Sequence, residues 1–341
     1  MGEDEMKENF LNYIPLKAYR YLRWRKPVME NYRRIRGQFS REYADLCLEV
    51  DKAQFFNWPV ERKLEACRRK DEYILGYLEN LCGGVIESYK ERQPEPEKTD
   101  EQKRIWVFWW SGEDTAPEIV RACIRSIRAN ANGHEVVLLD STNYHQYVQL
   151  PGFLIGKHEK GLIGHAHFSD VVRLALLARH GGVWIDATVF LSQPLPDQLF
   201  ECPFYTLKTV DEQALYYSKS RWCGYFLAGS SSFPLFSFVR DMLLAHWERA
   251  DHIVDYLLMD YIFGLACRHV PDIAAVMEGL PDNNTRRGQL MRRINEPYDA
   301  ALFSMLEQGD TFASKLSWRY GDPRERTADG KLTNYGHLLR K

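Results

Sequence analysis

The chain lacks the marks of several common enzyme classes. Its 341 residues contain no G-x-x-x-x-G-K-[ST], G-x-G-x-x-G or G-x-S-x-G run. P-loop, dinucleotide-dependent and α/β-hydrolase chemistry therefore have no signature here. Seven cysteines (Cys47, Cys67, Cys82, Cys123, Cys202, Cys223 and Cys267) fall at irregular spacing, with no C-x-x-C pair. That excludes a zinc-ribbon pattern and reads as scattered thiols in a reducing compartment. No apolar run approaches the roughly 20 residues that span a bilayer. Met1 to Glu8 is acidic and polar, unlike a secretory signal. The expectation is a cytoplasmic protein, free or docked peripherally on the inner face of a membrane. Excess charge is missing too: 45 Lys and Arg face 47 Asp and Glu, for a net charge of -2. No whole-chain field would gather nucleic acid, so no nucleic-acid partner is expected.

What is present is apolar and aromatic material, 45% and 13% of the chain, enough for a sizeable core. Residues 10–90 read as helical. Val28 to Phe39 is basic and amphipathic, Tyr43, Leu46, Cys47 and Val50 fall at helical spacing, and Ile74, Tyr77, Leu78 and Leu81 repeat it. Gly83-Gly84 offers a stop. Arg20, Arg23, Arg25, Lys26, Arg33, Arg34 and Arg36 lie among aromatics here, as a docking surface or as a solvated helical face. Glu91 to Asp100, with Pro94 and Pro96 and no apolar face, reads as a linker. Residues 1–100 are thus expected as a helical segment plus linker, and 101–341 as the catalytic domain.

Beyond residue 100 the period changes. Ile105 to Trp110 is a short apolar run ending at Ser111-Gly112. Pro117 opens a helix that closes at Asn132-Gly133, and Glu135 to Asp140 is a second apolar run. Strand, helix and strand at this spacing form a βαβ unit, hence an open α/β fold with a mostly parallel sheet. A helix over Phe168–His180 closes at Gly181-Gly182 and leads into a strand over Val183–Ile185. Tyr225 to Gly229 resembles another strand, and Pro234–Ala250 and His252–Arg268 read as helices.

In Phe168-Ser169-Asp170-Val171-Val172-Arg173 the acid and the base are one helical turn apart. Asp186 follows the third strand directly, where ligands bind in open α/β sheets. Convergence of Asp170, Arg173 and Asp186 suits a nucleotide diphosphate: one carboxylate for a divalent cation, one for ribose hydroxyls, and an arginine to organise them. The bland reading is a set of helix caps and an i,i+3 ion pair.

The order Ser-Asp-x-x-Arg, helix, Gly-Gly-x-Trp-x-Asp-x-Thr resembles the capsular polysaccharide synthesis glycosyltransferases. It is similar also to glycosyltransferase family thirty-two and to the sugar-transferring domain of large glucosylating toxins. The resemblance spans roughly residues 104–340. It implies a GT-A-type open sheet with flanking helices, a UDP-sugar donor, a Mn2+ or Mg2+ cofactor and transfer with retained anomeric configuration. The acceptor it implies is a glycan or lipid-linked glycan, in surface or capsular polysaccharide biosynthesis. In this likeness Asp170 and Arg173 bind donor and Asp186 is the first acid of an Asp-x-Asp motif whose third position is Thr188. Trp109 and Trp110 flank the nucleotide base, with one of the two touching donor.

Later positions extend the expected site. The resemblance places Lys315 and His337 in a C-terminal segment closing over the diphosphate, with His337 completing a metal shell of Asp186 and Thr188. In the same resemblance the helix carrying Asp255 and Asp260 borders the acceptor side, where a carboxylate would orient a hydroxyl or stabilise the sugar cation; the alternative is a cap and a surface acid. His165 and His167 are spaced as on one face of a strand, but no further zinc ligand lies near them. Two other classes remain open: a non-catalytic nucleotide-sugar or glycan-binding scaffold, and an interaction protein that acts through its N-terminal helices.

Overall fold

The computed structural model describes residues 16–90, 103–319 and 323–341. The expected linker, 91–100, lies outside the described residues. The chain divides into two compact units, one of residues up to 77 with 213–217, the other of 78–212 and 218–341.

The first unit is helical. Helix α1 spans Leu16–Gln38 with Pro27 inside it, and α2 spans Arg41–Phe55. Ser40 caps α2, its Oγ accepting from the Tyr43 amide at 3.0 Å, which satisfies one orphan donor of the first turn. Helix α3, Val60–Lys90, begins in this unit. Tyr43 stacks on Tyr73 at 4.8 Å, Trp24 stacks on Phe55 at 4.5 Å, and Val50, Ala66 and Cys67 gather against Leu215. All seven basic residues of the predicted basic face are exposed, as a solvated helical face requires. No helix among the described residues is long and apolar enough to cross a membrane.

The predicted stop at Gly83-Gly84 is not used. Helix α3 runs to Lys90 and only kinks, at Cys82. Packing overrides the glycines: Ile86 and Tyr89 are buried, and the Tyr89 hydroxyl donates to Asp241 Oδ2 at 2.7 Å.

The second unit holds the sheet. Its strands are β1 (Arg104–Phe108), β2 (Glu135–Leu139), β3 (Gly182–Ile185), β5 (Phe204–Thr206) and β6 (Phe226–Gly229), in the order β2-β1-β3-β6-β5. β1 pairs in parallel with β2 and β3, and β6 is antiparallel to β3 and β5, so four of the five strands share one direction. β4 (Val189–Leu191) and β7 (Ala313–Lys315) form a separate antiparallel pair. This is the mixed α/β, GT-A-like architecture anticipated from the sequence.

Helices flank the sheet. α4 (Glu118–Ala129) joins β1 to β2 as the predicted βαβ crossover, with Pro117 as its cap and Asn132 and Gly133 both at positive φ beyond its end. Short α5 (Gly152–Glu159) precedes α6 (His165–His180), and α7 (Pro234–Arg249), α8 (Leu258–His269) and α9 (Pro271–Gly279) follow β6. α10 (Gln289–Arg292), α11 (Ala300–Gln308) and α12 (Asn334–Arg340) complete the unit. The apolar faces of β1, β3, β6 and α4 form one continuous core.

Two helix starts differ from expectation. α6 begins at His165, three residues early, because Gly164 in extended conformation serves as its cap and its carbonyl accepts from Phe168 N at 3.0 Å. Ser169 is therefore inside the helix rather than capping it, and His165 and His167 lie on its first turn. α8 begins at Leu258 rather than His252, because Asp255 Oδ1 accepts from Leu257 N at 2.9 Å and sets a turn. The return from α6 into β3 depends on Gly182. Its φ is +91°, and a Cβ there would lie 2.4 Å from the Arg104 carbonyl oxygen of the neighbouring strand.

Candidate functional site: an ion cluster at the end of β3

Asp186 stands one residue beyond β3. Its amide donates to the Tyr225 carbonyl at 2.9 Å, extending the β3–β6 ladder, and its own carbonyl accepts from Val189 N at 2.9 Å. The second bond closes a four-residue turn that presents Asp186 and Thr188 to one cation. Lys315 arrives from the far side. It pairs with Val189 in the β4–β7 ladder, and the next amide, Leu316 N, donates to the Thr188 carbonyl at 2.9 Å. Its ammonium donates to Asp186 Oδ2 at 2.8 Å and to Thr188 Oγ1 at 2.7 Å, and lies 4.9 Å from the centre of the Tyr225 ring.

Arg173 closes the other side. It is buried on α6, with its Nη2 3.1 Å from Asp186 Oδ1 and its Nη1 3.2 Å from Asp170 Oδ1. The guanidinium lies over Trp184 at 4.9 Å, and the indole N–H of Trp184 donates to Asp186 Oδ1 at 2.9 Å. Burial alone would raise the Asp186 carboxyl. The Lys315 and Arg173 charges, with hydrogen bonds from Lys315 and Trp184, outweigh it and hold the group at about 2. The cluster is not sealed: the Asp186 and Lys315 side chains keep 25% and 32% of their exposure, so a ligand can reach them.

Asp260, in the first turn of α8, is the next acid of the cluster. Burial pushes its carboxyl up to about 6. Hydrogen bonds from Ser218 and Trp222 and the charge of Arg173 oppose that rise, and the charge of Asp170 adds to it. The Trp222 indole lies 3.2 Å from Asp260 Oδ1. A carboxyl that exchanges its proton near neutrality can act as acid or base.

The structure thus brings together Asp170, Arg173, Asp186, Thr188 and Lys315, with Asp260 coupled to them by charge. Asp255 is spent on the turn before α8. His337 lies elsewhere, its ring stacked on Tyr298 at 4.2 Å and against Phe303 at 4.5 Å, with no hydrogen bond or ion pair to Asp186 or Thr188 among the described residues. The two tryptophans face opposite ways. Trp109 meets Trp318 edge-on at 5.8 Å, while Trp110 packs among His158, His165 and Phe168. His167 Nδ1 is 3.6 Å from Asp170 Oδ2. His165 lies beside Trp110 rather than beside His167's partner acid.

Sequence reasoning missed Trp184 as a donor to Asp186, Tyr225 under the lysine, and Gly224. A Cβ at Gly224 would fall 2.8 Å from Arg173 Nη1 and 2.1 Å from the Met259 methyl. Only the contacts made across β6 and α8 reveal that role.

The residues present do not fit the divalent cation that the resemblance implies. Mg2+ and Mn2+ are ordinarily held by one or two carboxylates, with substrate phosphates and water completing about six oxygen ligands. Here one carboxylate and one hydroxyl face the position, and both already bind Lys315. Among the described residues, no three His, Cys, Asp or Glu side chains gather as a metal cluster.

Over residues 55–336 the chain matches the family described as capsular polysaccharide synthesis protein. It is 32% identical over 139 residues to O-glycosyltransferase braB of Annulohypoxylon truncatum, covering 38% of this chain and 30% of that protein. It is 32% identical over 108 residues to O-glycosyltransferase PaGT of Phomopsis amygdali, covering 29% of this chain and 27% of that protein. The chain therefore spans less than a third of the length of these relatives. No solved structure matches it significantly. The family match takes in most of the chain, with Asp170, Arg173, Asp186, Thr188, Asp260 and Lys315 all inside it, and the chain belongs to the capsular polysaccharide synthesis protein family.

Proposed function

We propose that this protein is a glycosyltransferase that moves a hexose or hexosamine from a UDP-sugar to a glycan acceptor, free or lipid-linked, with the anomeric configuration retained, in surface or capsular polysaccharide assembly. The observation that carries the reading is the Asp170–Arg173–Asp186–Lys315 chain of charges at the carboxyl end of a sheet strand. The family, and two relatives named as O-glycosyltransferases, support it.

In this reaction the bond from the anomeric carbon to the diphosphate oxygen breaks, and its electron pair leaves with the diphosphate. The acceptor hydroxyl oxygen bonds to that carbon and gives up its proton. Stabilising the departing diphosphate is the main task, and preorganised cations in a partly dry site do it best. Lys315 supplies a positive charge held on the Asp186–Thr188 turn. Arg173 holds Asp170 and Asp186 in place for ribose and sugar hydroxyls. Asp260, with its carboxyl near 6, takes the acceptor proton or faces the developing sugar cation.

The test is UDP release from a panel of UDP-sugars, run beside thermal shift with the same compounds. A true donor at ~100 times its Kd adds ~2.7 kcal/mol of stability. Asp186→Asn should keep the fold and lower turnover at least ~100-fold, the scale of losing a main electrostatic group. Full activity in that variant removes the assignment. Tight binding without turnover of any donor turns the reading into a non-catalytic scaffold.

A further inference from the structure

We infer that Lys315 occupies the cation position of the Asp186–Thr188 turn, so that the positive charge facing the leaving diphosphate is built into the chain and a divalent ion can enter only in its place. This rests on the donor-site reading above and deepens it.

The lysine is fixed rather than draped. Its amide donates to the Arg287 carbonyl at 3.0 Å, the next amide is bound to Thr188, and the residue stands in register with Val189. From that anchor its ammonium reaches both oxygens of the turn that a metal would use, at 2.8 and 2.7 Å. The remaining oxygen of Asp186 is committed to Arg173 and Trp184. A divalent ion approaching Asp186 would meet two cations on one carboxylate and would have to expel the ammonium. An ammonium has three protons. Two are placed on Asp186 and Thr188, leaving the third to a phosphate oxygen.

Two measurements on the full chain test this. Calorimetry with UDP, in EDTA and in Mn2+, should give wild-type affinities within ~2-fold of one another, while Lys315→Met should weaken UDP ~10- to 100-fold, the worth of one charge-assisted hydrogen bond. Wild-type binding that needs Mn2+, or a folded Lys315→Met with unchanged affinity, overturns the inference. Separately, Mn2+ alone is titrated and followed by its electron paramagnetic resonance. Wild type should leave the ion free, and Lys315→Glu should take up about one ion that Asp186→Asn in the same chain abolishes. Wild-type uptake lost in Asp186→Asn, or a folded Lys315→Glu that takes up none, refutes it. If Lys315→Glu does not fold, the comparison of wild type with Asp186→Asn decides. UDP that binds under no condition sinks the donor reading alone, because the Mn2+ titration needs no nucleotide.

Discussion

Replacing Arg173 with methionine is the sharpest probe of the cluster. The change keeps an unbranched apolar stem and deletes both the charge between Asp170 and Asp186 and the guanidinium that lies over Trp184. Removing one partner of a buried pair costs ~3–5 kcal/mol, because the remaining charge is left uncompensated. The two carboxylates do not suffer equally. Asp186 keeps Lys315 and Trp184 at 2.8 and 2.9 Å, whereas among the described residues Asp170 keeps only His167 at 3.6 Å. Both side chains retain some solvent, 25% and 18% exposed, so the low end of the range applies. At ~2 cal/mol/K of unfolding entropy per residue, a loss of ~3 kcal/mol in this unit lowers Tm by roughly 6 °C. Differential scanning calorimetry at neutral pH measures it. The deficit should shrink as pH falls below about 4, where unpaired carboxylates protonate. Adding Asp170→Asn to Arg173→Met should return ~1–2 kcal/mol, since the stranded charge is gone. A loss under ~1 kcal/mol, or a double variant worse than the sum of the singles, refutes the view of Arg173 as the keystone between two acids.

Three further outcomes follow from the same geometry. Asp260 has a folded-state carboxyl near 6 against an ordinary 3.8, so its contribution is full below about 3.8 and is lost as pH rises through about 6. Asp260→Asn should therefore gain on wild type over that window, by at most ~3 kcal/mol, in urea melts across pH; a pH-independent difference would contradict it. Gly182→Ala, with a Cβ 2.4 Å from the Arg104 carbonyl at a φ of +91°, should cost ~3 kcal/mol or more by denaturant unfolding, and a neutral substitution would mean that β1 and β3 are farther apart. Gly224→Ala should crowd Arg173 and Met259 and lower turnover ~10-fold or more while shifting Tm by only a few degrees, measured as kcat beside a thermal melt; unchanged kcat would free Arg173 from any positioning role.

The fold and half of the site were legible for different reasons. Ile105–Trp110 and Glu135–Asp140 read as strands because buried parallel strands are continuous apolar runs, and Pro117 and Asn132-Gly133 bracket the helix between them. Asp170, Arg173 and Asp186 were legible together because helix period and strand direction are local facts. Three readings failed, one because packing overrode a local signal and two because a local cap went unrecognised. The glycines at 83 and 84 did not end α3, α6 began three residues early on Gly164, and α8 began six residues late behind the Asp255 turn. His337 and Lys315 looked alike in sequence, each an isolated basic residue near the C-terminus. The β4–β7 register separated them, bringing Lys315 opposite Val189 while α12 turned His337 onto Tyr298. Strands of three residues carry too little periodicity to be seen in advance.

Whether such a cluster serves structure or chemistry turns on what it leaves unsatisfied. A purely structural ion pair is expected to close its own hydrogen-bond account, since each buried unmade bond costs ~1–3 kcal/mol. Here, among the described residues, Arg173 Nε and the Trp109 indole nitrogen are buried without a partner, although the other nitrogens of Arg173 reach Asp170, Asp186 and Met259. Buried donors of this kind persist where something else supplies the acceptor. The elements that meet at Asp186 point the same way. α6 contributes Asp170 and Arg173, β3 contributes Trp184, the turn into β4 contributes Asp186 and Thr188, β7 contributes Lys315 and α8, by charge, Asp260. Cations fixed before any ligand arrives need no reorganisation when negative charge develops on a departing diphosphate. On the proposed donor-site reading the arrangement trades some stability of the free protein for a polarised site, and Arg173→Met and Lys315→Met separate the two roles: the first should cost mainly stability, the second mainly affinity for UDP.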